Sequence, residues 1–343
     1  MSTIVQSRGK CPVCHAERHA IIHARMEETG KVQRVYPGVA FAVMRCSSCG
    51  TVFTDPQLAY GALSSFFDES YGPFRVAGAR NAGVVARILA LLKRRTLGQY
   101  FGYGEKRWWQ FSLFPFRLAF AHYPRFVKGG RLLDLGCGAG NFLADLKGLG
   151  WETFGVDPSP IAVASAVSQG LKNISVGSVD TLEFSDGFFD AVHLLHVFEH
   201  FPDPAAALRE LNRVLKPGGV LVIGVPQYGG ISSIMCGKWW DGFVIPLHYV
   251  HYRKATFQRL FKEAGFSLEK TYSTDFFSNL FSSFETMCGT KWPVSRSWFG
   301  KKPVRMIKRV LGLCDYFPGN SIANMFGLGA QITVIARKTA DVS

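Results

Sequence analysis

Acid is what this sequence has least of. Only 25 Asp and Glu stand against 39 Lys and Arg, leaving a formal charge of +14 on 343 residues. That imbalance excludes an acidic, self-repelling chain and points to phosphate-bearing partners, on nucleic acid or a membrane surface. Long apolar runs are also missing: none approaches the roughly 18 residues that a membrane-crossing helix needs. The N-terminus lacks the basic-then-apolar pattern of a secretory signal. Together these absences predict a cytoplasmic protein. No internal repeat or low-complexity tract is evident, which excludes a solenoid. Apolar residues nevertheless make up 48% of the chain, enough for a substantial core.

Four of the eight cysteines fall in two C-x-x-C pairs, "CPVC" at 11–14 and "CSSC" at 46–49. The other four, Cys137, Cys236, Cys288 and Cys314, are scattered, a distribution that argues for metal rather than disulfides. Each pair presents two thiolates to one tetrahedral ion. Cys11, Cys14, Cys46 and Cys49 are therefore predicted to hold a structural Zn²⁺ in a ribbon-like module over residues 1–60. The stretch between them reads as a strand hairpin, and His15, His19 and His23 read as solvated bystanders.

Positive charge is concentrated rather than spread. Residues 71–130 hold eleven Lys and Arg against one acid, Glu105, and are crowded with aromatics, as in "RWWQFSLFPFRLAF". Residues 61–129 thus form a basic, aromatic helical linker or cap. Within it, Val84, Ile88, Leu91 and Leu92 share a helical face opposite Arg87, Lys93, Arg94 and Arg95. Residues 303–314 repeat that design, with Val304, Ile307, Val310, Leu311 and Cys314 opposite Arg305, Lys308 and Arg309. Basic amphipathic helices of this kind suit an anionic lipid surface.

From residue 130 onward strands and helices alternate, which predicts a doubly wound α/β sheet, mostly parallel and seven-stranded. Strands are expected at "RLLDLG", "WETFGVDPS", "NISVGSV", "FDAVHLLHV", "GGVLVIGVP", "GFSLEKTYS" and "GAQITVIARK". The intervening helices fall at 141–148, 160–169, 203–215 and 254–264. A basic, aromatic insertion occupies about 275–328 of this third region, 130–343.

The first strand runs into Gly136, Gly138 and Gly140. A dinucleotide fingerprint would be G-x-G-x-x-G, aimed at a pyrophosphate. Here the spacing is G-x-G-x-G, with Asp134 two positions ahead of it. That acid repels phosphate and favours a cation, so the loop suits a positively charged nucleoside without phosphate. Asp157, closing the second strand, is placed to accept hydrogen bonds from ribose hydroxyls.

With "DLGCGAG" and "GVDPS", followed by "VGSVDTLEFSDGFFDAVHLLHVFEHFPDP" and "LKPGGVLVIGVP", the chain resembles the class I S-adenosylmethionine-dependent methyltransferases over about 130–273 and 329–338. That resemblance implies S-adenosylmethionine as cofactor. It implies that Gly136, Cys137, Gly138 and Gly140 form the loop against it and that Asp134 faces its methionine amino group. Asp157, with Pro158 behind it, would hold the ribose, and Ser178, Val179 and Asp180 would border the adenine. His196 would pack beside the cofactor. Ser178 departs from the common variant, which carries Asp directly after the glycine of "VGS". The stretch "HLLHVFEHFPDP", with "WWDGFVIPLHYVHYRKATFQRLFKEAGF" after it, is similar to the quinone-biosynthesis and surface-glycan subfamily. Sugar C-methyltransferases share the paired cysteines but are longer.

Methyl transfer to a hydroxyl needs a base near neutral pKa. The candidates are His196, His200, His248 and His251; His196 and His200 read as one helical face at i,i+4 spacing with Glu199 beside them, and the direct role is expected of His200, His248 or His251. His193, mid-strand, reads as core. An RNA methyltransferase is the rival reading, since basic chains with Cys₄ knuckles bind RNA. Against it, the fourth strand ends in "HVFEHF", without the Asn/Asp-Pro-Pro-aromatic signature of amine methylation or a Pro-Cys nucleophile. The sequence therefore predicts O-methylation of a small-molecule, glycan, glycolipid or lipid-like acceptor at the cytoplasmic membrane face.

Overall fold

The computed structural model describes residues 5–6, 9–26, 39–58, 84–105, 113, 116–275, 277–291, 307, 310–315 and 319–339. Its strands, in chain order, are β1 (Val5–Gln6), β2 (His19–Met26), β3 (Phe41–Cys46), β4 (Val52–Asp55), β5 (Gln57–Leu58), β6 (Arg131–Leu135) and β7 (Glu152–Asp157). There follow β8 (Asn173–Val176), β9 (Phe189–Leu195), β10 (Leu215–Pro226), β11 (Val250–His251), β12 (Phe266–Thr274) and β13 (Gln331–Lys338). The helices are α1 (Val84–Phe101), α2 (Asn141–Lys147), α3 (Pro160–Ser168), α4 (Pro204–Val214), α5 (Ile231–Cys236), α6 (Lys254–Glu263), α7 (Phe277–Lys291) and α8 (Asn320–Phe326).

Seven strands form one sheet in the order β12-β13-β10-β9-β6-β7-β8. β6 to β10 are mutually parallel, and β13 lies antiparallel between β10 and β12. This is the doubly wound, mostly parallel sheet that the alternating sequence pattern predicts. Local chemistry starts the connecting helices where the sequence says they should start. Ser159 and Asp203 each accept a hydrogen bond from a first-turn amide, of Ala162 and Ala206 respectively, with Pro160 and Pro204 just inside. A capping oxygen followed by proline presets the first turn without losing a needed donor.

The paired cysteines lie on the four-stranded sheet β11-β4-β3-β2 or the turns beside it. Its fourth strand, β11, comes from the far end of the chain: Val250 pairs with Phe53 and His251 with Val52. One buried cluster accordingly runs from Cys11, Val43 and Phe53 through Phe243 and Tyr249 to Leu194 and Ile223. A second cluster, on the other face of the large sheet, seats the C-terminal half of α1 through Leu97 and Phe101 against Leu132, Leu143, Leu146 and Trp151. The earlier turns of α1 leave Ile88 and Leu91 about half exposed (51% and 48%), which is the apolar face expected there; the Val84 side chain lies outside the described residues. Of the 303–314 stretch, Ile307 and Val310 are exposed, and its basic residues lie outside the described set. Among the described residues, no helix is long and apolar enough to cross a membrane.

Candidate active site

The glycine loop leaves β6 by a turn that only glycine accommodates. Gly136, Gly138 and Gly140 have φ of 76°, 54° and 77°, in the left-handed region that side chains avoid. A Cβ on Gly136 would stand 2.3 Å from Val197 Cγ2, and one on Gly140 would stand 2.3 Å from Leu171 Cδ1. The first of these contacts matters most, because it presses the loop against the segment that leaves β9.

Two buried carboxylates flank the loop. Asp157, at the end of β7, accepts from Gly138 N on Oδ2 and from Ser159 N on Oδ1, both at 2.9 Å. A carboxylate has about four acceptor sites, so both oxygens retain capacity for ribose hydroxyls. Asp134, expected to face the methionine amino group, is engaged through Oδ1 by His193 Nδ1 at 2.7 Å, both side chains being buried. His193 in turn packs against Phe142, the rings tilted by 30° with 4.1 Å between centroids. Burial raises Asp157 above the usual carboxylate range, and Asp134 adds to that against its two amide donors. Cys137, between the two acids, is likewise pushed up by burial and by their charge. The loop therefore sits in a negative field that favours a cationic ligand and disfavours a phosphate, and the chemistry of this donor set fits S-adenosylmethionine. Pro158 follows Asp157 directly, and beyond β8 Ser178 caps a single helical turn with Thr181, with Val179 buried and Asp180 in the first turn.

A cavity of about 340 Å³ opens where β9, β10, β12 and β13 end or begin, and His196, His248, Asp241, Asp275, Asn279 and Gln331 line it. His196 is not helical. It holds φ 56° with its amide donating to Gly224 O at 2.8 Å, and only one short turn, Phe198–His200, follows. The i,i+4 face expected of His196 and His200 does not form, because the left-handed residue breaks the chain direction between β9 and that turn. His196 consequently points into the cavity with half of its side chain exposed (50%), Nδ1 being 3.5 Å from Glu199 Oε1.

Glu199 is almost fully buried (1% exposed), and neither of its oxygens accepts a well-formed hydrogen bond among the described residues. Burial alone would raise it; His196, His248 and His200 outweigh that and bring it down to about 2. Reciprocally, burial pulls His196 down, but Glu199, with help from Asp275 and Gln331, holds it above its ordinary value. His248 stands 3.9 Å from Glu199 Oε1 and donates from Nδ1 to Gly242 O at 2.8 Å. Burial and His200 bring it down to about 4 despite Glu199. His200 donates from Nδ1 to Leu247 O at 2.8 Å and does not line the cavity. His251 does not line it either: 2% exposed, its Nε2 donates to Thr54 Oγ1 at 3.1 Å. The ring expected as a candidate base is held in the small sheet.

Cys11, Cys14, Cys46 and Cys49 converge, their sulfurs all within 4.8 Å of one another. Cys11 and Cys49 are 3.6 Å apart and Cys14 and Cys46 3.5 Å, close to the ~3.8 Å edge of a tetrahedron with Zn–S bonds of about 2.3 Å. The sequence reading did not single out Asp241, Asp275, Asn279 or Gln331. Asp241 lies in "WWDGF", and Asp275 directly follows β12, but nothing local in the sequence marks either as facing a cavity.

Taken with the sheet order, the glycine loop and its two acids define a nucleoside-binding α/β protein with a separate cavity beside the loop. A family model described as "Methyltransferase domain" matches residues 109–271. A ubiquinone biosynthesis O-methyltransferase from Xanthomonas oryzae pv. oryzae is 35% identical over 131 residues, covering 34% of this chain and 55% of that protein. The chain thus spans about half the length of the first curated relatives that it matches. The protein of the same name from Xanthomonas axonopodis pv. citri is 34% identical over 183 residues, 48% of this chain and 77% of the relative. Among solved structures, a SAM-dependent methyltransferase from Thermotoga maritima aligns with a TM-score of 0.45 at 22% identity, covering 74% of this chain and 97% of that one. The chain belongs to the class I S-adenosylmethionine-dependent methyltransferases.

Proposed function

We propose that this protein transfers the methyl group of S-adenosylmethionine to a hydroxyl of a glycan, glycolipid or lipid-like acceptor held in the 340 Å³ cavity. One observation carries the reading: the glycine loop touches Val197 at Gly136, and the neighbouring residue, His196, lines the cavity. Cofactor and acceptor would therefore meet across two consecutive residues.

Bound S-adenosylmethionine supplies an activated methyl on a sulfonium; the chain's residues supply alignment and a proton acceptor. Asp157 and the glycine loop hold the nucleoside. His196 is the best-placed base, since it is the one cavity histidine held above its ordinary value, and bases work best near the operating pH. Glu199 orients its ring from beneath and balances the imidazolium that forms. Proton transfer moves from the acceptor hydroxyl to His196 Nε2, leaving Nδ1 toward Glu199. His248, held low, stays neutral at pH 7 and serves as a hydrogen-bonding wall. A structural Zn²⁺ in the Cys11, Cys14, Cys46 and Cys49 cluster belongs to this reading. So does a peripheral position on the cytoplasmic membrane face, supported by the basic balance and the exposed Ile88, Leu91, Ile307 and Val310.

The test uses S-adenosylmethionine labelled in its methyl group. The full chain is incubated with a bacterial lipid extract, a glycolipid fraction and total RNA in parallel. Label entering the lipid or glycolipid fraction as an alkali-stable methyl ether is expected. Label entering RNA alone would overturn the acceptor class.

A further inference from the structure

We propose that the four-cysteine module is a brace for the acceptor wall, and that Thr54 is the positioning residue through which it fixes His248. The inference rests on the methyl-transfer reading only for what the wall does.

His248 belongs to the irregular stretch between the turn at Asp241–Phe243 and α6, where its own segment holds it through Nδ1 to Gly242 O and its amide to Val244 O at 3.2 Å. Glu199 O accepts from Tyr249 N at 2.8 Å, and the bonds to the His248 carbonyl and the Tyr249 carbonyl come from a residue nearly two hundred positions earlier. Thr54 N donates to Tyr249 O at 3.0 Å. Thr54 Oγ1 donates to His248 O at 2.8 Å and, having used its own proton there, accepts from His251 Nε2 at 3.1 Å. A single buried hydroxyl thus satisfies the backbone of one histidine and the ring of another. Tyr249 Oη adds a bond to Leu58 O at 2.8 Å.

Thr54 is itself tied to the cysteine cluster. Cys46 N donates to Thr51 O at 2.9 Å, Cys49 Sγ lies 3.2 Å from Thr51 Oγ1, and Arg253, just past the wall, donates to Gly50 O at 3.1 Å. Val43 pairs with Thr54 across β3 and β4. The cysteine turns therefore set the start of β4, β4 sets β11, and β11 carries the wall. An independent nucleic-acid-reading knuckle would not share a sheet and a core with the segment beside the acceptor. Asp157 and Gly138 lie outside this chain of contacts, so cofactor binding should not depend on it.

The full chain with ¹⁵N-labelled histidine provides the test, comparing wild type, Thr54→Val and Thr54→Ser. His248 ring signals, assigned with a His248→Gln variant, are expected to show the Nδ1–H tautomer in wild type. In Thr54→Val they should shift, with amide exchange across 247–253 at least tenfold faster, and Thr54→Ser should restore both. S-adenosylhomocysteine affinity by calorimetry should be unchanged throughout. Thr54→Val with lowered thermal stability but wild-type His248 signals would reduce Thr54 to a packing residue and overturn the proposal. Should Thr54→Val fail to fold, wild type stripped with a thiol-compatible chelator takes its place. Faster exchange at 247–253 then supports the brace, and unchanged exchange overturns it. Failure of the methyl-transfer reading would show separately, as no S-adenosylhomocysteine binding in any sample.

Discussion

Truncating Asp157 to alanine separates cofactor recognition from fold stability. The carboxylate is 4% exposed and accepts two backbone amides at 2.9 Å, from Gly138 and Ser159. Removing it orphans both, each costing about 1–3 kcal/mol when buried. Part of that is offset, because the ionised side chain is itself disfavoured by burial and by Asp134. A net loss of about 1–3 kcal/mol lowers Tm by several degrees in a domain of this size and leaves it folded at 25 °C. Affinity is a separate matter. Loss of the ribose hydrogen bonds should weaken S-adenosylhomocysteine at least tenfold, about 1.4 kcal/mol. At a ligand concentration 100 times the wild-type Kd, wild type gains about 2.7 kcal/mol of stability and a tenfold weaker variant about 1.4 kcal/mol. Calorimetry gives Kd directly, and thermal unfolding with and without ligand gives the two stabilisations. A variant with lowered Tm but wild-type Kd would refute the assignment of Asp157 to the ribose.

The remaining expectations concern the metal, the pH dependence and the membrane. Elemental analysis of anaerobically purified protein should find one zinc per chain, and Cys46→Ser should lose it together with the order of the small sheet, while keeping S-adenosylhomocysteine binding. Burial and Asp315 push Asp275 up to about 6 against the pull of His196, so its folded value lies above its unfolded one. Ionised Asp275 therefore weakens the fold, and that loss sets in as pH rises from about 4 through about 6. Asn tolerates the left-handed φ of 59° at this position, so Asp275→Asn should raise Tm at pH 8 and converge on wild type near pH 4. Sedimentation with anionic vesicles should be salt-sensitive and at least ~10-fold weaker in Arg94→Glu/Arg95→Glu, at about 1 kcal/mol per charge near the surface; salt-independent or absent sedimentation would remove the membrane from the account.

What the sequence made legible was local. The run from Leu132 to Phe142 announces strand, glycine turn and helix within eleven positions, and Asp157 follows at the end of the next strand; each depends on residues a few places apart. The two C-x-x-C pairs were equally readable, since spacing alone brings two thiolates together. The acceptor side was not, because its logic is long-range. His196 looked like one face of a helix with His200, but a positive φ, invisible in composition, turns it into the cavity instead. His251 and His248 look alike in "PLHYVHY"; only the hydroxyl of Thr54, 197 positions from His251, engages one ring and leaves the other at the cavity. Asp134 carried the resemblance to a cofactor-facing acid, yet His193, 59 positions on, engages one of its oxygens. Alternation gave the sheet; partners distant in sequence gave the site.

The most direct test of the central claim is His196→Gln, assayed for S-adenosylhomocysteine affinity and for label transfer into the acceptor fraction. Removing a general base costs roughly 10²–10⁴-fold. The account predicts transfer reduced by at least about 10² with Kd within twofold of wild type; transfer at the wild-type rate would contradict it.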